Sequence, residues 1–447
     1  MKKRILSIVL ALTMTSALLA GCGSSSSDGS GDTSAESTTS ESSASDATSE
    51  NADPAGTSGE VYMFISQPEY ADAINTLIEE YKTVAPDVTI TYETTQNDYP
   101  TMLKAKLNSG DVPDIFSSTS GKEIETYIEY SYDLTGQPLA EAMLPAVADS
   151  MKDAGGEGIY GFAIKGNYFG LVYNQELLEQ VGVTEAPKTL SELKALAEKL
   201  DAAGIQAFTS GFAEWWVYKH IFQHFMGAST DNYQELVASF ESGNTTLQEY
   251  PTLYDNYFEF IDLVKQYGDA KPLETDLSAE LAAFASNKAA IMVGQGAWVE
   301  GDILKINPEA KILFAGYPVD DDAADCQVIT GADQALRVYN DSESLDATLA
   351  FINWWYTSDY GKLWFTDVAG VVPPIATTTE STFEIIKQGQ ALAEADGSAP
   401  LGVIYSTDSF HTAFGEAMQA YVEGGSSKDD TVSTIEQKWQ EIDGASN

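Results

Sequence analysis

His220 and His224 stand four residues apart, which on a helix puts both imidazoles on one face, half of a zinc site. Such a site usually has a glutamate beside the first histidine, and Ile221 stands there instead. With only three histidines in the chain, and no Gly-x-Ser-x-Gly or Walker A segment, hydrolase and ATPase signatures are absent. Asp320-Asp321-Asp322 lacks the spacing and the glycine of a calcium loop and reads as a solvated turn. Paired carboxylates for glycoside cleavage stay open, because 68 acidic residues guarantee accidental pairs. The two cysteines are Cys22, which belongs to an N-terminal segment taken up below, and Cys326. No intramolecular disulfide or cysteine metal cluster is then expected. Asp325 beside Cys326 disfavours the thiolate, so this thiol reads as structural. What the chain has in quantity is aromatic surface: 7 Trp, 23 Tyr and 18 Phe, most of which must be core, so that position alone separates platforms from packing.

The elements that would position such groups alternate between strand and helix patterns. Val61-Tyr62-Met63-Phe64-Ile65 is a short continuous apolar run, as in a buried parallel strand. Ala71, Ile74, Leu77, Ile78 and Tyr81 then share one face of a helix that Pro86 stops. Val88, Ile90 and Tyr92 alternate as a second strand, a helix over 101–108 ends at Gly110, and 112–116 reads as a third strand. This βαβαβ rhythm predicts a parallel sheet covered on both faces. The rhythm resumes with strands over 170–174, 205–209 and 289–293. Its helices are one opened by the capping box Thr189-Leu190-Ser191-Glu192 and others over 254–268 and 348–357. Trp354 and Trp355 sit mid-helix at core spacing and read as packing.

Residues 1–59 have a different composition. Met1-Lys2-Lys3-Arg4 is a basic start, 5–20 is largely apolar, and Leu19-Ala20-Gly21-Cys22 places a cysteine after small residues. This order is that of a secretory signal peptide. It resembles the bacterial lipoprotein signal, which implies cleavage before Cys22, removal of 1–21 and lipidation of the Cys22 thiol. In 23–59 the apolar side chains are alanines and one proline, too little to bury against the entropy of ordering. A flexible tether 22–59 is expected, reaching about 35 Å. About 388 residues follow, enough for two lobes. Loss of Lys2, Lys3 and Arg4 takes the net charge from −45 to −48. Nucleic acid and anionic membrane surfaces are then poor partners.

Within the globular part, Asn108-Ser109-Gly110-Asp111-Val112-Pro113-Asp114-Ile115 resembles an element of the extracellular solute-binding proteins of family 1, the sugar-type receptors of ABC importers. Four further segments are similar to the family and fall in its order. These are Gly158-Ile159-Tyr160-Gly161-Phe162 with Gly170-Leu171-Val172-Tyr173-Asn174, Ala186-Pro187-Lys188-Thr189, Phe284 through Trp298, and Gly370-Val371-Val372-Pro373. Asn287 and Leu190 depart from the pattern, where glycine and tryptophan are usual. The resemblance covers 60–447 and implies an α/β, two-lobe periplasmic-binding-protein-like fold (type II) with crossover strands around a ligand cleft. Lobe one would be 60–167 and 331–372, and lobe two 168–330 and 373–447.

A sugar presents apolar ring faces and a belt of hydroxyls, so its site needs aromatic platforms and planar polar groups. Trp298 follows a Gly-rich turn after a strand, at the edge where α/β ligands bind, and matches the family's stacking tryptophan. Glu214, Trp215 and Trp216 follow another strand end, as hydroxyl acceptor and platforms. Polar candidates come from loops after lobe-one strands: Ser66 and Gln67, Asn97 and Asp98, Ser117 and Ser118. Asn167 and Tyr168 sit at the first crossover and Asp333 after the second; Phe410 and His411 open a late helix that in the family adds an aromatic. The expected function is a membrane-anchored extracytoplasmic receptor that binds a carbohydrate, an oligosaccharide for preference, by hinge closure and passes it to an ABC permease. The chain would be a monomer and not an enzyme, need no cofactor or metal, and sit on a Gram-positive-type surface. A polyamine or other small-solute receptor of the same fold is the alternative, and a surface glycoside hydrolase a more distant one.

Overall fold

A computed structural model describes residues 54–445 apart from 231, 378 and 379. The leader, Cys22 and all of the tether but 54–59 lie outside the described residues. Among the described residues eleven strands form three sheets. The first, in the order β10-β3-β1-β2, contains β1 (Gly59–Ile65), β2 (Val88–Thr94), β3 (Ile115–Thr119) and β10 (Gln334–Val338). β1 pairs parallel with β2 and β3, whereas β10 returns from far along the chain to close the edge antiparallel. Helix Ala71–Val84 links β1 to β2, burying Ile74, Leu77 and Tyr81 against the sheet as the helical period requires. The third strand begins three residues later than its apolar pattern indicates. Pro113 offers no N–H, and the Asp114 carboxylate accepts the Tyr62 N–H (2.7 Å), so the chain before Ile115 is tied up by a side chain.

The second sheet, β6-β7-β5-β8, contains β5 (Leu171–Asn174), β6 (Gln206–Thr209), β7 (Ala289–Met292) and β8 (Ile312–Ala315). β6 and β7 are parallel, but β5 runs antiparallel to both its neighbours, against the parallel expectation. β5 continues from a crossover strand after Gly170 alone, so the crossing sets its direction. Between the two sheets lies a third, β11-β9-β4, built from β4 (Asn167–Phe169), β9 (Val328–Gly331) and β11 (Ser398–Pro400). β4 and β9 are antiparallel, with Asn167 opposite Gly331. Residues 167 and 168 lie in β4, Gly331 ends β9, and Gly166 donates its N–H to the Val372 carbonyl (2.7 Å).

Each large sheet has its own core. Around the first, Trp355, Trp364, Phe351 and Phe162 are fully buried; Trp354 is half-buried between Tyr81 and Tyr360. Around the second, helix Trp215–Gly227 packs on helix Asp408–Glu423 through Phe222 and Phe414. Phe410 stacks on Trp439 (4.6 Å) and is core rather than platform, and His411 is likewise buried. In the predicted capping box, Thr189 accepts the Glu192 N–H, but Glu192 reaches back to Lys188 rather than to Thr189. No described helix is long and apolar enough to cross a membrane.

Candidate functional site

The three-sheet layout leaves a cleft between the two large sheets, floored by the crossover strands. On its floor, Lys165 from the first crossing and Asp333 from the second face each other (3.4 Å), both nearly fully buried. Asn167 bridges them: its carbonyl accepts from Lys165 Nζ (2.6 Å) and its amide donates to Asp333 Oδ1 (2.5 Å). Burial alone would push the Asp333 carboxyl up, but the ammonium groups of Lys165 and Lys219 outweigh it and hold it below its ordinary value. Asn167 is thus a brace for Asp333, not a cleft-lining group.

One wall comes from the start of helix Trp215–Gly227. Trp215 and Trp216 both line the cleft, and the buried indole N–H of Trp216 has no partner. Lys219, one turn on, sits over the Trp215 ring (5.2 Å) and pairs with Asp408 (3.4 Å). His220 follows, packed among Trp216, Trp298 and Phe169. Its Nδ1 lies 3.1 Å from the Gly294 carbonyl, which only accepts, so Nδ1 carries the proton and Nε2 is left as an acceptor. Burial pushes His220 down to about 3, and it stays neutral. His224 turns into the core instead and stacks on Tyr317 (4.1 Å). Among the described residues no three His, Cys, Asp or Glu side chains are grouped to hold a metal.

Trp298 stands in the turn after β7, as its Gly-rich approach indicates. A Cβ on Gly296 would lie 2.4 Å from the indole, so only glycine lets the ring fold back over the chain. Its N–H donates to Gln295 Oε1 (3.0 Å), and Gln295 in turn donates to the fully buried Glu280 (2.7 Å). Burial raises the Glu280 carboxyl well above its ordinary value, and this buried group holds the Gln295 amide from behind. Lys165 lies 5.1 Å from one Trp298 face and Phe169 meets the ring at 5.2 Å. Trp298 therefore offers the cleft only part of its surface.

The opposite wall comes from loops after β1 and β2. Gln67 is 3 % exposed, yet neither atom of its side-chain amide has a partner. Glu69 Oε2 is also buried and unpartnered, and burial pushes its carboxyl up to about 7. Ser66 reaches Gln334 (3.4 Å). Tyr99 contributes its ring, with its hydroxyl committed to the backbone of Phe64 and Ser117.

Of the residues expected from sequence, the cleft brings together Trp298, Trp215, Trp216, Gln67, Asp333 and Ser66. Glu214 serves otherwise: its Oε2 accepts from Asn97 Nδ2 (2.7 Å), a direct bond between the walls. Three more of the expected residues do not line this cleft. Tyr168 alternates away from Asn167 along β4, as strand pleating demands, and packs on Gly389, where a Cβ would come within 2.6 Å of its ring. Asp98 is exposed before helix Tyr99–Ser109 and caps nothing with its side chain. Ser118 is held by Arg337 Nε (2.9 Å) below the adjoining groove. Lys165, Lys219, Glu69, His220 and Asp408 were not singled out as ligand groups from sequence; the helical spacing of Trp215, Trp216, Lys219 and His220 was the one signal available. Cys326 is half-buried beside the Pro187 carbonyl, and burial pushes its thiol up to about 12.

Two α/β lobes, crossover strands between them and a cleft lined from both define the type II periplasmic-binding-protein-like class. The chain belongs to the bacterial extracellular solute-binding protein family, whose model matches residues 66–362. It is 22% identical over 321 residues to the melibiose/raffinose/stachyose-binding protein MelE of Bacillus subtilis (strain 168), covering 68% of this chain and 72% of that one. The solved structure of a chitin oligosaccharide binding protein superposes with a TM-score of 0.74 at 19% identity, over 86% of this chain and 98% of that one. A sugar transporter from Bacillus licheniformis in complex with stachyose superposes at 0.72 and 19%, over 86% and 100%.

Proposed function

We propose that this chain is the extracytoplasmic receptor of an ABC importer and that its cleft takes a neutral carbohydrate, an oligosaccharide rather than a single sugar. One observation carries the reading. Aromatic faces and buried, unpartnered polar atoms converge on a cleft whose charges cancel, Lys165 against Asp333 and Lys219 against Asp408. Hydroxyls both donate and accept, so they suit the Gln67 amide, the Trp216 N–H and the Glu69 carboxyl together. A polyamine would need carboxylates converging without counter-ions, and here two of the three acids face a lysine. The sugar-binding names among the relatives support the same choice.

Ligand touching both walls would draw the lobes together and shift the hinge equilibrium toward the closed form. The Asn97–Glu214 bond is a contact that such closure would favour. The lobe limits 60–167 with 331–372, and 168–330 with 373–447, belong to this proposal, as do the absence of turnover and the monomeric state. So do cleavage before Cys22, its lipidation and a Gram-positive-type cell surface, where a tether of about 35 Å keeps the receptor near its permease. The test is a calorimetric screen against oligosaccharides, monosaccharides and polyamines. Saturable oligosaccharide binding with the sugar recovered intact supports the proposal; polyamine binding without sugar binding, or hydrolysis of the sugar, overturns it. Cys22→Ala should release the protein into the medium, and retention on the cell would overturn the anchor.

A further inference from the structure

Behind the Trp215 wall, helices Trp215–Gly227 and Asp408–Glu423 face each other on two levels. At their first turns Lys219 pairs with Asp408 (3.4 Å). One turn deeper, Gln223 of the first helix and His411 of the second line an interior cavity with aromatic walls from Phe222, Phe414 and Trp439. Every residue around it is buried. It leaves about 20 Å³ for the centre of a water molecule. One water needs roughly 10–15 Å³ of such space, so the cavity admits a water and excludes an organic ligand by size.

Two polar atoms in this wall have no partner in the protein. Gln223 is 1 % exposed, and its Oε1 accepts the Gly402 N–H (3.3 Å). That bond fixes the orientation of the amide and leaves Nε2 as an unpartnered donor. His411 is 5 % exposed, and its Nδ1 is unpartnered. Burial holds this imidazole well below its ordinary value, so the ring is neutral and one of its nitrogens is an acceptor. Ser406 lines the same cavity; its Oγ accepts the Trp439 indole N–H (3.3 Å) and keeps its own hydrogen to give.

We propose that this cavity is a binding site for a single water molecule, which bridges Gln223 Nε2 to His411 Nδ1 and takes the Ser406 hydroxyl as a third partner. Water suits the set because it accepts from the amide and the hydroxyl and donates to the imidazole, the usual three bonds of an interior water. A halide only accepts and would fit only a ring protonated at Nδ1. The water bridge and the Lys219–Asp408 pair are then successive rungs between the same two helices. The lower rung holds together the helices whose first turns carry Trp215, Lys219 and Asp408 to the cleft. It touches no ligand and stands whatever ligand the cleft takes.

The test is a crystal structure of the full chain, grown with bromide in place of chloride and repeated under xenon. The expected result is one ordered oxygen within hydrogen-bond distance of Gln223 Nε2 and His411 Nδ1, with no anomalous signal. A bromide peak there, xenon in the cavity, a cavity without density or a direct Gln223–His411 bond overturns the proposal. Gln223→Leu and His411→Leu, singly and together, give a second reading by chemical denaturation. Each single change should lower the folding equilibrium constant about tenfold or more, because the water loses a partner and the remaining polar atom is left unmet. The double variant should cost clearly less than the product of the two, since both ends of the bridge are then apolar. The Gly402 bond is lost in both Gln223 variants and cancels in the comparison. Costs that simply multiply would show two side chains acting independently and overturn the bridge. Should a variant not fold, the crystal structure of the unmodified chain still decides.

Discussion

Glu123 and Asp408 come from opposite lobes and meet at the edge of the cleft, so ligand binding that closes the lobes should take up a proton. Glu123 is 4 % exposed, and its carboxyl accepts the backbone N–H of Thr119 (3.2 Å) and of Asp408 (2.9 Å). Asp408 accepts from the Thr119 hydroxyl (2.6 Å) and from Lys219 (3.4 Å). Arg337, which donates to the Glu123 carbonyl, and Tyr127 complete the titratable groups around the pair. Burial first, and the Asp408 charge second, push Glu123 up to about 8. When the lobes part, water and the loss of Asp408 return it toward an ordinary glutamate near ~4.3. The raised value belongs to the closed form, so the proton's contribution to closure is complete below about pH 4 and is lost as pH rises to about 8. Affinity therefore falls with rising pH. The ceiling is one proton per ligand, about tenfold in Kd or ~1.4 kcal/mol per pH unit. Lys219 and Arg337 favour the ionised carboxyl and reduce this, and about tenfold weakening between pH 6 and 8 is the working figure. Calorimetry in buffers of different ionisation heat reads the proton directly. Glu123→Gln removes the titrating group while keeping one of the two N–H acceptors, and should flatten the profile; Glu69→Gln separates the contribution of the raised carboxyl that lies in the cleft itself. Zero proton uptake near pH 7, or an unchanged slope in Glu123→Gln, would refute the reasoning.

Three further outcomes are expected. Lys165→Met leaves Asp333 buried without its counter-ion and should cost about 3–5 kcal/mol of stability, with Asp333→Asn in the same chain restoring much of it; chemical denaturation measures both. Glu280→Ala removes the acceptor behind Gln295, loosening Trp298, and should weaken ligand binding by roughly tenfold, in line with ~1–3 kcal/mol for an unpaired buried amide, read by calorimetry alongside the melting temperature. Cys326, with its thiol raised to about 12, should react slowly with alkylating reagents at pH 8 in the folded protein and at the rate of a free thiol only after denaturation.

Much of the fold is visible in local pattern, because one-sided burial imposes a period on each element. β1, helix Ala71–Val84, β2 and helix Leu190–Ala202 lie where their apolar spacing and caps place them. The third strand and the direction of β5 differ for reasons outside their own residues: Asp114 is spent on the Tyr62 N–H, and β5 inherits its course from the crossing before it. Position after a strand end located Trp215, Trp216, Trp298 and Gln67. The same rule chose Asp98 and Ser118, and the first crossover suggested Tyr168; exposure, Arg337 and the pleat of β4 direct these side chains elsewhere.

The sequence by itself determined the class of molecule: an acidic two-lobe α/β chain carrying the ordered motifs of a solute-binding family. Such features are written in composition and in short contiguous segments. The electrostatic character of the site is not. Lys165 and Asp333 lie 168 residues apart and Lys219 and Asp408 lie 189 apart, and each reads alone as one charge among many. Only the tertiary structure pairs them, since burying either group of a pair requires the other beside it. That pairing leaves a cleft of hydroxyl-sized polar contacts with its charges cancelled.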